Sequence, residues 1–217
     1  MLHLGTLLAV VVYFWADIRG IIKGIASILK KKEENRETVR LFLWIILATI
    51  PTGLLGILLK DWFESFFSRP KMVGMMLIVT ALVLWLTRLV KRDGKSLERM
   101  GWLDTILIGI AQGLAIIPGI SRSGATISTG LFCGLNRELS ARFSFLLSIP
   151  AILGATLLEM DKMGSGGPLW MTIIGSAIAF GMGILTLTLL IKIVKRGKIF
   201  NFSYYCCGLG VLMIIFS

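Results

Sequence analysis

The chain is predicted to be an all-α protein that crosses a membrane several times, and three observations predict it. Of its 217 residues, 56% are hydrophobic and only 16% are charged, whereas a soluble domain carries about 25% charged residues. Long apolar runs recur along the whole chain. Between them the basic residues collect in short segments, as in loops retained on one side of a membrane. Those loops account for the net charge of +11. Nucleic-acid binding is set aside, because it would need a soluble basic face.

The first apolar run is Leu4 to Ile18, continuing weakly to Leu29. A spanning helix needs about 20 residues, so this run is clipped unless Ile21 to Leu29 completes it. No charged leader or cleavage site precedes it, so no signal peptide is expected. Lys30 to Arg40 reads as a charged loop. The second span is Leu41 to Leu59, with Pro51 and Gly53 in its middle. Proline frees a backbone carbonyl that a neighbour must satisfy. Lys60 to Lys71 holds Trp62, Phe63, Phe66 and Phe67, an aromatic cluster suited to the headgroup level. The third span is Met72 to Leu89. The fourth is Ala141 to Leu158, followed by a Gly-rich turn to Pro168. The fifth is Leu169 to Val194 and the sixth Phe200 to Phe216.

Asp104 to Leu135 is apolar but broken at Pro118-Gly119. Its arms, Thr105 to Ile117 and Ser123 to Leu135, each cover only about 20 Å at 1.5 Å per residue, too short for a core about 30 Å thick. Two half-length helices around a polar break predict a re-entrant hairpin, tolerated only where it is buried in protein or lines a cavity. Charge supports this independently. If Arg19 to Arg40 is cytoplasmic and 104–135 re-enters, 18 of the 23 Lys and Arg residues fall on the cytoplasmic side. Six spans and one hairpin are therefore expected, in one membrane domain over residues 1–217, with both ends outside.

Cys133, Cys206 and Cys207 have no metal or redox spacing, and His3 is the only histidine. The candidate site is the break itself, Pro118-Gly119-Ile120-Ser121-Arg122-Ser123-Gly124-Ala125-Thr126. Arg122 falls near the expected bilayer midplane, where a lone arginine costs about 2.5–3.5 kcal/mol on the lenient insertion scale. It needs a partner: Gln112 or a helix carbonyl within the protein, or an anionic ligand. The second arm starts at about Ser123 with free N–H groups. With Gly119 and Gly124, the hydroxyls of Ser121, Ser123 and Thr126, and the guanidinium, it has the makings of a phosphate site. Ser121 or Ser123 could equally serve as the helix cap.

This nine-residue stretch resembles the PGxSRSGxT signature of the undecaprenyl-diphosphatase family, the BacA-type bacitracin-resistance proteins. Leu4 to Phe14 is similar to the family's first full span, and Phe143 to Pro150 to the segment after its second hairpin. The resemblance implies six spans and two re-entrant hairpins related as inverted repeats. Residues 1–103 would be the remainder of the first repeat, its hairpin missing, and 104–217 the second repeat. It also implies hydrolysis of undecaprenyl diphosphate to the monophosphate on the outer face of a bacterial cytoplasmic membrane, recycling the lipid carrier for peptidoglycan. Ser121, Arg122 and Thr126 would be the catalytic diphosphate-binding groups. Gly119, Ser123 and Gly124 would complete the phosphate loop, with Gln112 as support.

The family's first hairpin carries an ExxxE-type motif and a Ser-Ser-x-Gly-His stretch, for which this chain has no counterpart. The resemblance implies a divalent cation, Mg or Ca, whose ligands are expected to be absent here, and a chain inactive or impaired on its own. A lipid-diphosphate-binding remnant and a small anion or lipid transporter are the alternatives. The expected partners are a polyprenyl diphosphate and the bilayer; the sequence leaves a homo-oligomer open.

Overall fold

The computed structural model describes residues 2–29, 36–59, 62, 63, 66, 69–90, 94–159 and 169–217. Most of the loop expected at Lys30 to Arg40, the Gly-rich turn at 160–168 and Phe67 lie outside them. The described residues form α-helices and short 3-10 turns, with one isolated bridge between Lys95 and Leu135.

Among the described residues four helices are long and apolar enough to cross a membrane: Arg36–Leu58, Pro70–Leu89, Arg137–Leu157 and Trp170–Lys195. Their outward faces are apolar. Leu43, Ile50, Leu82, Ile178 and Leu185 are each more than half exposed, a surface that suits lipid and would aggregate in water. The chain is an all-α, multi-pass membrane protein.

The first apolar run is not one straight helix. It forms α1 (Leu2–Tyr13) and α2 (Trp15–Leu29), and the axis turns by 73° between them. Neither proline nor glycine marks the turn. Phe14 is buried there and stacks on Phe145 at 6.0 Å, and the Asp17 carboxylate pairs with Arg142. Asp17, Arg19 and Lys23 make α2 a poor continuation of an apolar span, and the turn diverts them from its axis. The last run, expected over Phe200 to Phe216, has nearly those bounds. A 3-10 turn, Ile199–Asn201, leads into a helix over Phe202–Ile215, and the apolar stretch Ile199–Ile215 falls below the length of the four spans.

The other helices are α3 (Arg36–Leu58), α4 (Pro70–Leu86, extended by a 3-10 turn to Leu89), α5 (Trp102–Leu114), α6 (Arg122–Phe132), α7 (Arg137–Glu159), α8 (Leu169–Lys195) and α9 (Phe202–Ile215). Small residues bring the pairs together, as expected where lipid removes the hydrophobic drive between helices. Gly74 of α4 and Gly210 of α9 face each other: a Cβ on Gly74 would lie 2.9 Å from the Gly210 carbonyl. Gly183 of α8 leaves room for Ala9 of α1, and Gly109 of α5 seats against Ala48 and Pro51 of α3. Beside Pro51, the Thr52 hydroxyl lies 2.9 Å from the Ala48 carbonyl and 2.8 Å from that of Gly109. Its one proton is shared between the two helices.

Helices α5 and α6 form a hairpin. Its ends meet, because Lys95 N–H donates to the Gly134 carbonyl at 2.7 Å and Asn136 N–H to the Lys95 carbonyl at 3.0 Å. Asp104 fixes the start of α5: its carboxylate accepts the Gly101 N–H at 2.9 Å and faces the Lys95 ammonium at 3.3 Å. The segment thus leaves and returns at one end of the bundle. Its turn packs toward the other end, where Ile117 is buried with Phe63 and Phe66. The hairpin turn covers those two rings, and of the described aromatics there only Trp62 is exposed.

Candidate functional site

The break between α5 and α6 is held by α4. Gly119 has φ of +94°, and any side chain on it would collide with the Val73 carbonyl and approach Met76 Cβ to 2.9 Å. Glycine is required both by its left-handed backbone and by the contact with α4. The space that it frees is therefore filled by this helix. Gly124 plays a similar part: a Cβ there would lie 2.9 Å from Ser121 Oγ. Its absence lets the Ser121 hydroxyl accept the Gly124 N–H at 3.2 Å and cap α6.

Thr80 of α4 is the bracket between them. Its hydroxyl donates to the Gly119 carbonyl at 2.9 Å and accepts the Ser121 N–H at 3.2 Å. Thr80 is the eleventh residue of the 20-residue span Pro70–Leu89. Ser121, and Arg122 beside it, therefore sit at the middle of that span. Nothing in the sequence set Thr80 apart, because a threonine within an apolar run reads as a packing residue.

Arg122 is the first residue of α6 and is partly buried. Among the described residues its guanidinium has no hydrogen-bond or ion-pair partner, and neither have the Ser123 hydroxyl or the N–H groups of Arg122 and Ser123. The Ser121 hydroxyl accepts a bond but keeps its proton free. The first turn of α6 thus presents unpaired donors and one full positive charge at mid-span.

Gln112 and Thr126 are placed differently. Gln112 is buried and donates to the Leu147 carbonyl of α7 at 3.2 Å, with Oε1 unpaired; it makes no bond to Arg122. Thr126 is 1% exposed. Its hydroxyl donates to the Arg122 carbonyl at 2.8 Å and bonds Ser144 of α7. It ties the first turn of α6 to α7, and its proton is already in use. Among the described residues neither serine of the loop has a histidine or carboxylate as a hydrogen-bond partner. Among the described residues no group of three or more His, Cys, Asp or Glu could hold a metal ion. The cation implied by the resemblance therefore finds no ligand set among them, and no step through one follows.

The sequence matches the family model described as "Bacitracin resistance protein BacA" over residues 1–212. The chain belongs to the BacA family. Curated relatives agree. A protein of Desulforapulum autotrophicum named undecaprenyl-diphosphatase is 41% identical over 224 residues, covering 98% of this chain and 81% of its own length. One of Methanosphaera stadtmanae with the same name is 43% identical, covering 100% and 83%. One of Methanothermobacter thermautotrophicus, also so named, is 44% identical over 179 residues, covering 78% of this chain and 97% of itself. In this BacA-family chain, residues 118–126 bring together the mid-span arginine and the unpaired helix terminus.

Proposed function

We propose that the protein is an undecaprenyl-diphosphate phosphatase, and that the first turn of α6 holds the diphosphate. The observation that carries the site is the unpaired guanidinium of Arg122 beside free N–H groups at mid-span. A cation left unpaired there is costly unless an anion meets it. A helix N-terminus with adjacent hydroxyls provides the matching donors.

Arg122, the hydroxyls of Ser121 and Ser123, and the N–H groups of Arg122 and Ser123 bind the phosphate oxygens. Gly119 and Gly124 give the loop its shape. Thr126 orients the turn through the Arg122 carbonyl, and Gln112 supports the hairpin through α7. When the terminal phosphoanhydride bond breaks, water adds to phosphorus, inorganic phosphate leaves and the lipid monophosphate remains. Negative charge on the phosphate oxygens rises or redistributes in that step, and preorganised donors stabilise it. The lipid tail lies along the apolar outer faces of the helices.

The membrane is a bacterial cytoplasmic membrane in this reading, and the chemistry faces outward. Lys95, Arg142 and Lys195 gather through their contacts at the end where the hairpin begins and returns. This supports placing that end in the cytoplasm. The turn and its Phe63–Phe66 cover then lie on the outer side.

The test is phosphate release from undecaprenyl diphosphate by purified protein. Release of one phosphate per lipid, with the monophosphate as product, supports the reading. A protein that neither cleaves nor binds the lipid refutes it.

A further inference from the structure

We propose that the basic end of the bundle carries a second, separate site, a pocket for the headgroup of an anionic phospholipid. Two neighbouring cavities form it. The outer one, of about 760 Å3, is lined by Asn136, Arg137, Glu138, Lys195, Arg196 and Lys198. The inner one, of about 420 Å3, shares Glu138 and Lys195 and adds Arg142 and Asp17. Both volumes lie within the range of about 300–1,000 Å3 usual for small-molecule sites.

The charge balance calls for an anion. Five cations line these cavities against two carboxylates. Glu138 is taken by Lys195 at 2.7 Å and Asp17 by Arg142. Arg137, Arg196 and Lys198 have no ion-pair or hydrogen-bond partner for their side chains among the described residues. The Nε–H of Arg142 is buried with no acceptor. The Arg137 guanidinium lies over Gly197, whose φ is +72° and whose missing side chain leaves it that room. A guanidinium without a carboxylate partner is suited to bind a phosphate.

Position and lining favour a lipid over a free ion. Arg137 begins the apolar span of α7 and Lys195 ends that of α8, so the pocket opens at the level of lipid headgroups. The inner cavity adds Tyr13, Phe14 and Ile191, apolar surface that a glycerol backbone would cover and a free phosphate would not. Basic pockets between spanning helices at the cytoplasmic surface bind anionic headgroups on this principle.

The test follows the melting temperature of the detergent-purified protein during titration with phosphatidylglycerol, phosphatidylcholine or inorganic phosphate. A ligand that binds only the folded state raises it. Phosphatidylglycerol is expected to raise it by several degrees, and the other two by far less. The exposed pair Arg196→Gln and Lys198→Gln is expected to remove at least half of the shift. Arg69→Gln with Lys71→Gln, at the opposite end, should leave it unchanged. Should the first pair fail to fold, Lys198→Gln alone, with retained lipid counted by native mass spectrometry, must show fewer bound phosphatidylglycerol molecules than the parent. The proposal is overturned by no shift, by a shift that survives loss of these cations, or by an equal shift with inorganic phosphate alone.

Discussion

The Thr80 hydroxyl accepts the Ser121 N–H at 3.2 Å while donating to the Gly119 carbonyl at 2.9 Å. One side chain from the middle of α4 thus satisfies both sides of the turn that presents Arg122. Thr80→Val keeps the shape and removes the hydroxyl, leaving a partly buried donor and acceptor unpaired. The expected cost is about 1–3 kcal/mol, with weaker lipid-diphosphate binding, and Thr80→Ser should restore both. Melting curves and lipid titrations of the two variants check this; equal behaviour of valine and serine would count against the bracket.

Gly119→Ala faces both a left-handed backbone and the Val73 carbonyl. The conformation alone costs roughly 1–2 kcal/mol, and the collision adds to it. Gly53 and Gly154 have nothing within 4 Å of an added Cβ, so alanine there should be tolerated. Thermal melts of the three variants should place Gly119→Ala well below the other two.

Thr126 and Ser144 tie α6 to α7 by a buried hydroxyl pair. A double-mutant cycle with Thr126→Val and Ser144→Ala should give a coupling near 0.6 kcal/mol and below about 1.7 kcal/mol, the range for such bonds in membrane proteins. Additive losses would mean that the two hydroxyls act independently.

At the base of the hairpin, Asp104 both accepts the Gly101 N–H and faces Lys95. The ion pair is partly exposed and worth at most about 1 kcal/mol. The bond to the helix terminus adds about 1 kcal/mol. Asp104→Ala is therefore expected to destabilise more than Lys95→Ala, as urea or thermal unfolding would show; the reverse order would contradict this reading.

Much of this architecture was legible in the residue pattern. Half-length arms around Pro118-Gly119 predicted a broken helix pair, and the observed helices end within about three residues of those arms, as is usual for helix boundaries. Arg122 stood out because a charge in apolar sequence demands a reason. What was hidden depends on neighbours distant in sequence. Thr80 acts on residues about forty positions away, and only the packing of α4 on the turn reveals it. The sequence marks Gly119 and Gly124 but not their neighbours: Val73 and Met76 pack on the first and Ser121 on the second. Gln112 looked like a partner for Arg122, yet its amide reaches α7. Nothing local to Phe63 and Phe66 says that Ile117 will cover them. The bend at Phe14 has no proline or glycine to announce it; its anchors are Phe145 and Arg142, more than a hundred residues on.

The most direct measurement is the affinity of the purified protein and of Arg122→Ala for undecaprenyl diphosphate, with the monophosphate as comparison and melting temperatures recorded for both proteins. If the first turn of α6 is the diphosphate site, the parent binds the diphosphate more tightly than the monophosphate. The variant melts within a few degrees of the parent and loses on the order of tenfold or more in affinity, as expected for a charge-assisted bond worth about 1.5–3 kcal/mol. A variant that keeps the parent's affinity for the diphosphate would show that Arg122 does not hold it.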